Sequence, residues 1–215
     1  MSSETIMDAL RKAKEGSKKR KFTQSIDLAI SLRDVNLKDP AKRFKADVLL
    51  PYAIGSGVKI CVIGDDATVA RASTVEGIDS TLTETQITEM AKDAKSTKIF
   101  IAGIDYFLAI PQLMATVGRS LGRFLGPAGK MPTVFPPNGN LEDFVTRFSR
   151  TCSIRLRQNP VIHCRVGTES MEDSEVVENI RVIITEVENR LDNGVNNIRH
   201  THVKTTMGPA IAIQG

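Results

Sequence analysis

The hydrophobic residues follow two different periods, and this change of period is the strongest constraint on the fold. Near both ends of the chain they alternate with polar residues, as at Ile26, Leu28 and Ile30. Alternation places one face of a strand against a core and the other in solvent, which is typical of antiparallel sheets. In the middle, residues 58–63 form a nearly continuous apolar run. Such a run is typical of a strand buried on both faces of a parallel sheet.

The outer parts of the chain predict a mixture of helices and half-buried strands. Ser3 is a candidate N-cap for the first helix, and Gly194 ends a long amphipathic helix. Gln158 to Pro160 is a turn pattern, and we expect the strands on either side of it to form a β-hairpin. The predicted helices cover residues 2–15 and 173–190, and the predicted strands cover 22–32, 44–50, 153–157, 161–166, 198–206 and 210–213.

The middle of the chain predicts a parallel α/β unit. Its apolar segments are separated by helical patterns, and strand–helix alternation favours a three-layer arrangement. Residues 106–117 are apolar and are predicted to be helical around Pro111. Residues 54–57 (IGSG) are a candidate connector between two domains. The predicted strands here are 58–63 and 98–102, and the predicted helices are 66–72, 84–94 and 142–150.

Positive charge is concentrated near the N-terminus. The whole chain has a formal net charge of +4, whereas residues 1–55 alone hold 12 Lys or Arg and 7 Asp or Glu. Seven of the basic residues fall within residues 11–21. Such a run attracts the phosphate backbone of a nucleic acid without reading its sequence. It is equally compatible with a solvated helix end, since Lys and Arg favour the last turn of a helix.

Composition excludes several classes of protein. No apolar run approaches the roughly 18 residues of a membrane span, and no apolar segment follows Met1, so we expect no secretory signal. Cys61, Cys152 and Cys164 are widely spaced and form neither a disulfide framework nor a zinc motif. We therefore expect a reduced, cytoplasmic protein whose cysteines lie in the core.

The three histidines give little support for catalysis. His163, His200 and His202 all fall in predicted strands. His200 and His202 share a face, but no cysteine or carboxylate motif completes a zinc set, so we interpret them as surface or RNA-facing residues. His163 and Cys164 are neighbours on a strand and point to opposite faces, which prevents them from forming a nucleophile–base pair.

Nucleotide binding by the α/β middle is an alternative with a partial motif. Residues 122–130 resemble a phosphate loop, but Phe124 stands where glycine is required and Met131 replaces the hydroxyl residue after the lysine. A nucleotide-dependent enzyme of this kind would hold its ligand at strand ends near Gly64 or Gly103. A parallel sheet without a phosphate-binding motif carries little functional weight.

Residues 204–209 (KTTMGP) are the third candidate for function. Threonine hydroxyls can bond to ribose hydroxyls, methionine can pack on a ribose or base, and glycine lets a backbone approach a ligand closely. A plain transition from strand to turn explains the same residues. The residues alone leave both interpretations open.

Three segments resemble the same family in the same order along the chain. They are Lys21 with Phe22, residues 125–132 (LGPAGKMP) and residues 205–209 (TTMGP). Together they resemble the large-subunit ribosomal protein L1 family, the stalk protein beside the exit site, in its archaeal branch. The resemblance extends over essentially the whole chain.

This resemblance implies an α/β and α+β fold with two domains. The first is a discontinuous RNA-binding α+β domain with a split βαβ sheet, formed by residues 1–55 and 153–215. The second is an inserted Rossmann-like, three-layer α/β domain formed by residues 56–152. Hinges at residues 55–57 and near Cys152 would let the inserted domain swing.

The RNA surface implied by the resemblance lies on the discontinuous domain. Lys204 stands where the family has a small polar residue, and its role is inferred from its charge. His200 also departs from the expected small hydroxyl residue, and Phe22 is compatible with a strand core as well as with an RNA contact. Residues 125–132 are either structural or a second, weaker RNA contact, and we favour a structural role because their proline and glycine content suits a packed loop. The RNA-binding residues are expected to be Lys21, Phe22, Ser25, Lys204, Thr206, Met207, Gly208 and Pro209.

The function implied by the resemblance is structural and not enzymatic. The expected partners are the mobile stalk of large-subunit ribosomal RNA, the exit-site tRNA whose release is assisted, and the protein's own mRNA, whose translation is repressed. No cofactor or metal is expected, and the free protein is expected to be a monomer that becomes ribosome-associated. The alternatives are the nucleotide-dependent enzyme described above and a basic protein that binds nucleic acids without preference.

Overall fold

The computed structural model describes residues 2–55, 57–137 and 139–213, with the side chain of Ala41 left aside. Ser56, in the predicted connector 54–57, lies outside the described residues. The described α-helices are α1 (Ser3–Glu15), α2 (Asp66–Ala72), α3 (Glu84–Met90), α4 (Ala94–Gly103), α5 (Met114–Ala128), α6 (Leu141–Ser149) and α7 (Asp173–Arg190). The described strands are β1 (Ser25–Leu32), β2 (Phe44–Leu49), β3 (Ile60–Ile63), β4 (Ile78–Leu82), β5 (Tyr106–Ala109), β6 (Thr133–Val134), β7 (Thr151–Leu156), β8 (Val161–Thr168), β9 (Ile198–Thr205) and β10 (Ile211–Ile213).

The chain divides into two compact units. Residues 1–55 and 150–215 form the outer unit, and residues 56–149 form the middle unit. The second boundary lies three residues before the one expected at 152/153, because β7 already pairs with β2 from Thr151 onward. Among the described helices, none is long and apolar enough to cross a membrane.

The outer unit is built on an antiparallel sheet with the strand order β10-β9-β1-β8. Helices α1 and α7 pack against each other and against strands of this sheet, and their apolar residues share its core. Ile26, Leu28 and Ile30 of β1 are fully buried, so the predicted alternation is confirmed. Each such side chain stabilises the fold by about 1.5–3 kcal/mol relative to an exposed position.

The ends of α1 and the extent of α7 can be compared with the sequence predictions. The hydroxyl of Ser2, and not that of Ser3, accepts from the backbone N–H of Thr5, so Ser2 is the N-cap of α1. Gly16 follows the last residue of α1. Helix α7 has the predicted bounds, and its apolar stripe is buried.

The hairpin expected around Pro160 does not form. Residues on both sides of the turn are strands as predicted, but β7 pairs with β2 in a separate two-stranded sheet, and β8 pairs with β1. The alternation in the sequence specifies which face of each strand is buried, and it does not specify the partner.

The middle unit contains a parallel sheet with the strand order β4-β3-β5-β6. All four residues of β3 are buried, which confirms the interpretation of its continuous apolar run. The apolar residues of this unit form a core of their own, separate from the core of the outer unit.

Two segments of the middle unit form the opposite element to the one predicted. Residues 98–102 form the end of helix α4, and the buried strand is β5, within the segment expected to be helical. The side chain of Asp93 accepts from the backbone N–H groups of Lys95 and Ser96 and so begins α4. After β5, a short 3-10 turn at Pro111–Leu113 leads into α5.

Residues 125–128 belong to helix α5, which corrects the expectation that the whole segment 125–132 is a packed loop. Helix α5 continues to Ala128 and ends at Gly129, whose φ of 68° is the left-handed conformation that favours glycine. Lys130 Nζ then donates to the carbonyl oxygens of Ile101 at 2.9 Å and Ala102 at 3.2 Å, at the end of α4. These contacts fit a structural role for the segment, because a cation at a helix C-terminus satisfies carbonyl groups that have no helical partner.

Candidate nucleic-acid interface

Two segments that are far apart in sequence meet at one end of the four-stranded sheet. Because β1 and β9 are antiparallel, the start of β1 lies beside the end of β9. The N–H of Thr206 donates to the carbonyl of Ser25 at 3.0 Å and extends the pairing by one residue. We name residues 17–21 the basic segment, since four of its five residues are exposed Lys or Arg. We name residues 206–209 the TMGP turn.

Ser25 and Thr206 hold the TMGP turn against the first strand. Thr206 Oγ1 accepts from the backbone N–H of Ser25 at 3.1 Å and lies 2.9 Å from Ser25 Oγ. These bonds fix the position of the Thr206 hydroxyl, and Thr206 as a residue is exposed. A hydroxyl fixed in this way can donate to or accept from a ribose 2′-hydroxyl.

Phe22 and Met207 present large apolar side chains to solvent near this end of the sheet. Phe22 is 52% exposed and Met207 is 59% exposed. Phe22 precedes β1, so the alternative that placed it in a strand core is wrong. Exposed aromatic rings are surfaces on which unstacked bases can stack.

The TMGP turn requires glycine at position 208 because of a close approach. A Cβ at this position would lie 2.2 Å from Thr205 Oγ1 and 3.3 Å from the Cβ of Ser17. Pro209 packs in turn on Gly16, where an added Cβ would lie 3.0 Å from Pro209 Cγ. The turn is therefore packed against both its own strand and the start of the basic segment.

Gln24 belongs to this site, although the sequence analysis did not identify it. Gln24 is only 1% exposed, and its Oε1 accepts from the backbone N–H of Met207 at 3.2 Å. The alternation itself could have found it. Every second side chain of a strand points to the same face, so Gln24 points to the buried face together with Ile26 and Leu28.

Lys204 lies on the outer, polar face of the sheet, two residues before the TMGP turn begins. It pairs in register with Asp27 of β1, which pairs on its other side with Arg165 of β8. The histidines continue this face, since His163 and His202 both pair with Ala29. Among the residues that the structure describes, no group of three or more His, Cys, Asp and Glu side chains could hold a metal ion.

The ionised carboxylate of Asp27 is expected to lower the free energy of unfolding at neutral pH. Burial raises the pKa of this carboxyl above its ordinary value of 3.8, in spite of the opposing charges of Lys204, Arg165 and His163. Because the pKa is raised in the folded state, ionisation favours unfolding at pH 7, and this loss disappears as the pH falls below 3.8. We expect Asp27→Asn to raise the melting temperature at pH 7, with a gain below about 1 kcal/mol.

Thermal unfolding at pH 7 and at pH 3.5 measures this effect, and the variant should differ less from the wild type at the lower pH. Asp47→Asn, at an exposed carboxylate on β2, is the matched control. A lower melting temperature for Asp27→Asn than for the wild type at pH 7 would contradict the sign.

The nucleotide-binding alternative has little support in the geometry. Gly64 does follow β3, but Gly103 ends a helix and therefore does not lie at a strand end. A cavity of about 520 Å³ lies at the carboxyl ends of β3 and β4, and its lining includes the carboxylates Asp65, Asp66 and Glu84. Negative charge at these positions repels phosphate groups.

Comparison with known proteins gives one consistent result. Residues 10–209 match the model of the ribosomal protein L1p/L10e family. The chain is 43% identical to the large ribosomal subunit protein uL1 of Pyrococcus horikoshii over 98% of this chain and 95% of that protein. It is 40% identical to the uL1 protein of Thermococcus kodakarensis (97% and 96%) and 36% identical to that of Haloferax volcanii (98% and 98%).

Proposed function

Because the chain belongs to the ribosomal protein L1 family in its archaeal form, we propose that it binds large-subunit ribosomal RNA through the basic segment and the TMGP turn. The family consists of structural proteins of the ribosome, and the chain is not an enzyme. One observation carries the choice of surface. Ser25 and Thr206, which are 181 residues apart, share hydrogen bonds and so hold the TMGP turn against the start of β1, close in sequence to the basic segment.

We expect three kinds of contact with RNA at this surface. The cations of the basic segment attract RNA phosphates and raise the rate of encounter. The hydroxyls of Ser25 and Thr206 meet ribose 2′-hydroxyls, which distinguish RNA from DNA. Phe22 and Met207 pack on exposed bases or riboses. Lys204 adds charge on the outer face of the sheet, next to Asp27.

The RNA is proposed to be the mobile stalk of the large subunit, as the family resemblance implies. The protein would then assist the release of deacylated tRNA from the exit site and would repress translation of its own mRNA by binding a similar fold. It would act as a monomer, associated with the ribosome in the cytoplasm. The RNA-binding domain is proposed to be the discontinuous split-βαβ unit, with the middle unit as a Rossmann-like insertion. The strand orders of the two units support this proposal.

The test is binding to a transcript of the stalk ribosomal RNA across a series of salt concentrations. Thr206→Val combined with Met207→Ala removes one hydroxyl and one apolar contact, and we expect affinity to fall about tenfold, since each lost contact is worth about 0.5–1.5 kcal/mol. The matched control is Thr185→Val combined with Met131→Ala, which changes an exposed threonine and an exposed methionine outside the proposed surface.

The same experiment distinguishes the proposed function from nucleic-acid binding without preference. Tight stalk binding that survives moderate salt, and falls only in the first double variant, supports the TMGP turn as the specific contact. Equal and steeply salt-dependent binding to the stalk and to an unrelated structured RNA would leave a basic protein without preference.

A further inference from the structure

Gln24 connects three segments at the proposed RNA surface. Its Oε1 accepts from the backbone N–H of Met207 in the TMGP turn at 3.2 Å. Its Nε2 donates to Ser17 Oγ at 2.9 Å and to the carbonyl oxygen of Lys18 at 3.3 Å, both in the basic segment. The third segment is the turn after β8, through Glu169, whose Oε2 lies 3.2 Å from the same Nε2.

The orientation of the Gln24 amide is fixed by these partners. Met207 offers an N–H, which only the amide oxygen can accept, whereas the Lys18 carbonyl and the Glu169 carboxylate can only accept and therefore require the NH₂ group. A flipped amide would break the contacts on both sides. Gln24 thus has one arrangement that satisfies its neighbours, and the arrangement is almost entirely shielded from water.

Glu169 holds Gln24 in place through backbone as well as side-chain contacts. Glu169 Oε1 accepts from the backbone N–H of Gln24 at 3.0 Å, and the N–H of Glu169 donates to the carbonyl of Gln24 at 2.9 Å. The residue that follows β8 therefore closes a ring of hydrogen bonds just before β1 begins. The two bonds that the Glu169 carboxylate accepts, from the backbone N–H and from Nε2 of Gln24, are stronger than bonds between neutral groups.

We propose that Gln24, held by Glu169, is a positioning residue that fixes the basic segment relative to the TMGP turn, so that RNA meets one preformed surface. This inference rests on the proposed function, because it assumes that both segments contact the same RNA. Gln24 itself is buried and touches no RNA. It acts by removing conformational freedom that binding would otherwise have to remove.

The first test uses Gln24→Leu, which keeps the size of the side chain and removes its hydrogen bonds. With the stalk transcript as probe, we expect affinity to fall about tenfold. We also expect a smaller slope of log affinity against log salt, since a displaced basic segment makes about one or two fewer phosphate contacts. A merely structural role would not change this slope.

The matched control is Asn179→Ala, which removes a buried amide elsewhere in the outer unit. It is expected to destabilise the fold and to leave the RNA affinity and the salt slope of the remaining folded protein unchanged. Both variants are compared at a temperature at which circular dichroism confirms that they are folded, so that the comparison separates positioning from stability.

A second pair of variants tests the direction of the hydrogen bonds. Gln24→Glu retains an acceptor for Met207 but faces the Glu169 carboxylate, and we expect it to bind about tenfold more weakly than the wild type. Adding Glu169→Gln restores a donor between the two side chains, while the carboxylate at position 24 still faces the carbonyl oxygen of Lys18, so the double variant should recover about a third of the wild-type affinity. Recovery of this kind supports the network.

Failure of this inference and failure of the proposed function give different results. If wild-type protein binds the stalk and an unrelated RNA equally, the proposed function is wrong. If the wild type discriminates between them but Gln24→Leu keeps its affinity and salt slope, the positioning role is wrong. Failure of Glu169→Gln to rescue the Gln24→Glu variant also overturns it.

Discussion

Replacing Gly208 with Ala is expected to weaken binding to the stalk RNA about 100-fold, a loss of roughly 2.7 kcal/mol. The added Cβ would lie 2.2 Å from Thr205 Oγ1, a distance at which one of the two groups must move. Thr205 is fully buried in β9, so the adjustment falls mainly on the TMGP turn. Displacement of the turn moves Thr206 and Met207 together, and the free energy of unfolding should change by only about 1 kcal/mol.

A double-mutant cycle checks the cause of this loss. Thr205→Ala removes the oxygen that the new methyl group would meet, and among the described atoms this oxygen has no hydrogen-bond partner. We expect the combination of Thr205→Ala and Gly208→Ala to bind within about tenfold of the wild type, and hence to show a coupling energy above about 1 kcal/mol. If the double variant binds no better than Gly208→Ala, the glycine is needed for the approach of the RNA and not for the contact with Thr205.

Replacing Asn179 with Ala is expected to lower the free energy of unfolding by about 3–5 kcal/mol. Asn179 of α7 is fully buried, and its Nδ2 donates to the carbonyl oxygens of Tyr52 at 3.2 Å and Val166 at 3.0 Å. Its Oδ1 accepts from the N–H of Tyr52 at 3.2 Å. One amide thus joins the helix to β8 and to the segment after β2, and its loss leaves three backbone groups without these partners.

Urea unfolding followed by circular dichroism measures the loss. The control is Asn196→Ala, at an exposed asparagine, which should change the free energy of unfolding by less than about 0.5 kcal/mol. Equal stability of the two variants would show that water replaces the Asn179 amide without cost.

Much of the fold follows from the hydrophobic period. The alternation at Ile26, Leu28 and Ile30 specifies both the strand and its buried face, since a shift of one residue would expose the whole set. The run at residues 58–63 contains a strand with both faces covered. Helix α7 was also predictable, because six apolar residues recur along it at helical spacing. All six are buried: Val176, Val177, Ile180, Ile183, Ile184 and Val187.

The wrong predictions come from short apolar runs, where the period is ambiguous. Ile99, Phe100 and Ile101 are consistent with either a strand or a helix. In the structure Ile101 is 3% exposed and Ile99 is 67% exposed, as expected for opposite sides of a helix. The deciding feature was the cap at Asp93, which lies outside the apolar run. Pairing between β7 and β2 depends on contacts between distant segments, which no local pattern encodes.

The candidate site was predictable in its residues but not in its arrangement. The resemblance named Lys21 of the basic segment, Phe22 and Ser25 beside it, and the TMGP turn, and their roles in RNA binding remain predictions. Gln24 was missed because its function depends on partners from three separate segments. The sequence does place Gln24 among the positions whose side chains face the core. A buried amide there must have hydrogen-bond partners, but the sequence does not identify them.

The position of β1 has a consequence for synthesis. This strand is complete at Leu32, yet both of its neighbours in the sheet come from residues after 160. The middle unit has its own core and is translated in between, so it can fold while β1 is still without a partner. The surface that joins Ser25 to Thr206 comes into existence only after residue 209 has been added. Chains released early therefore lack this paired surface.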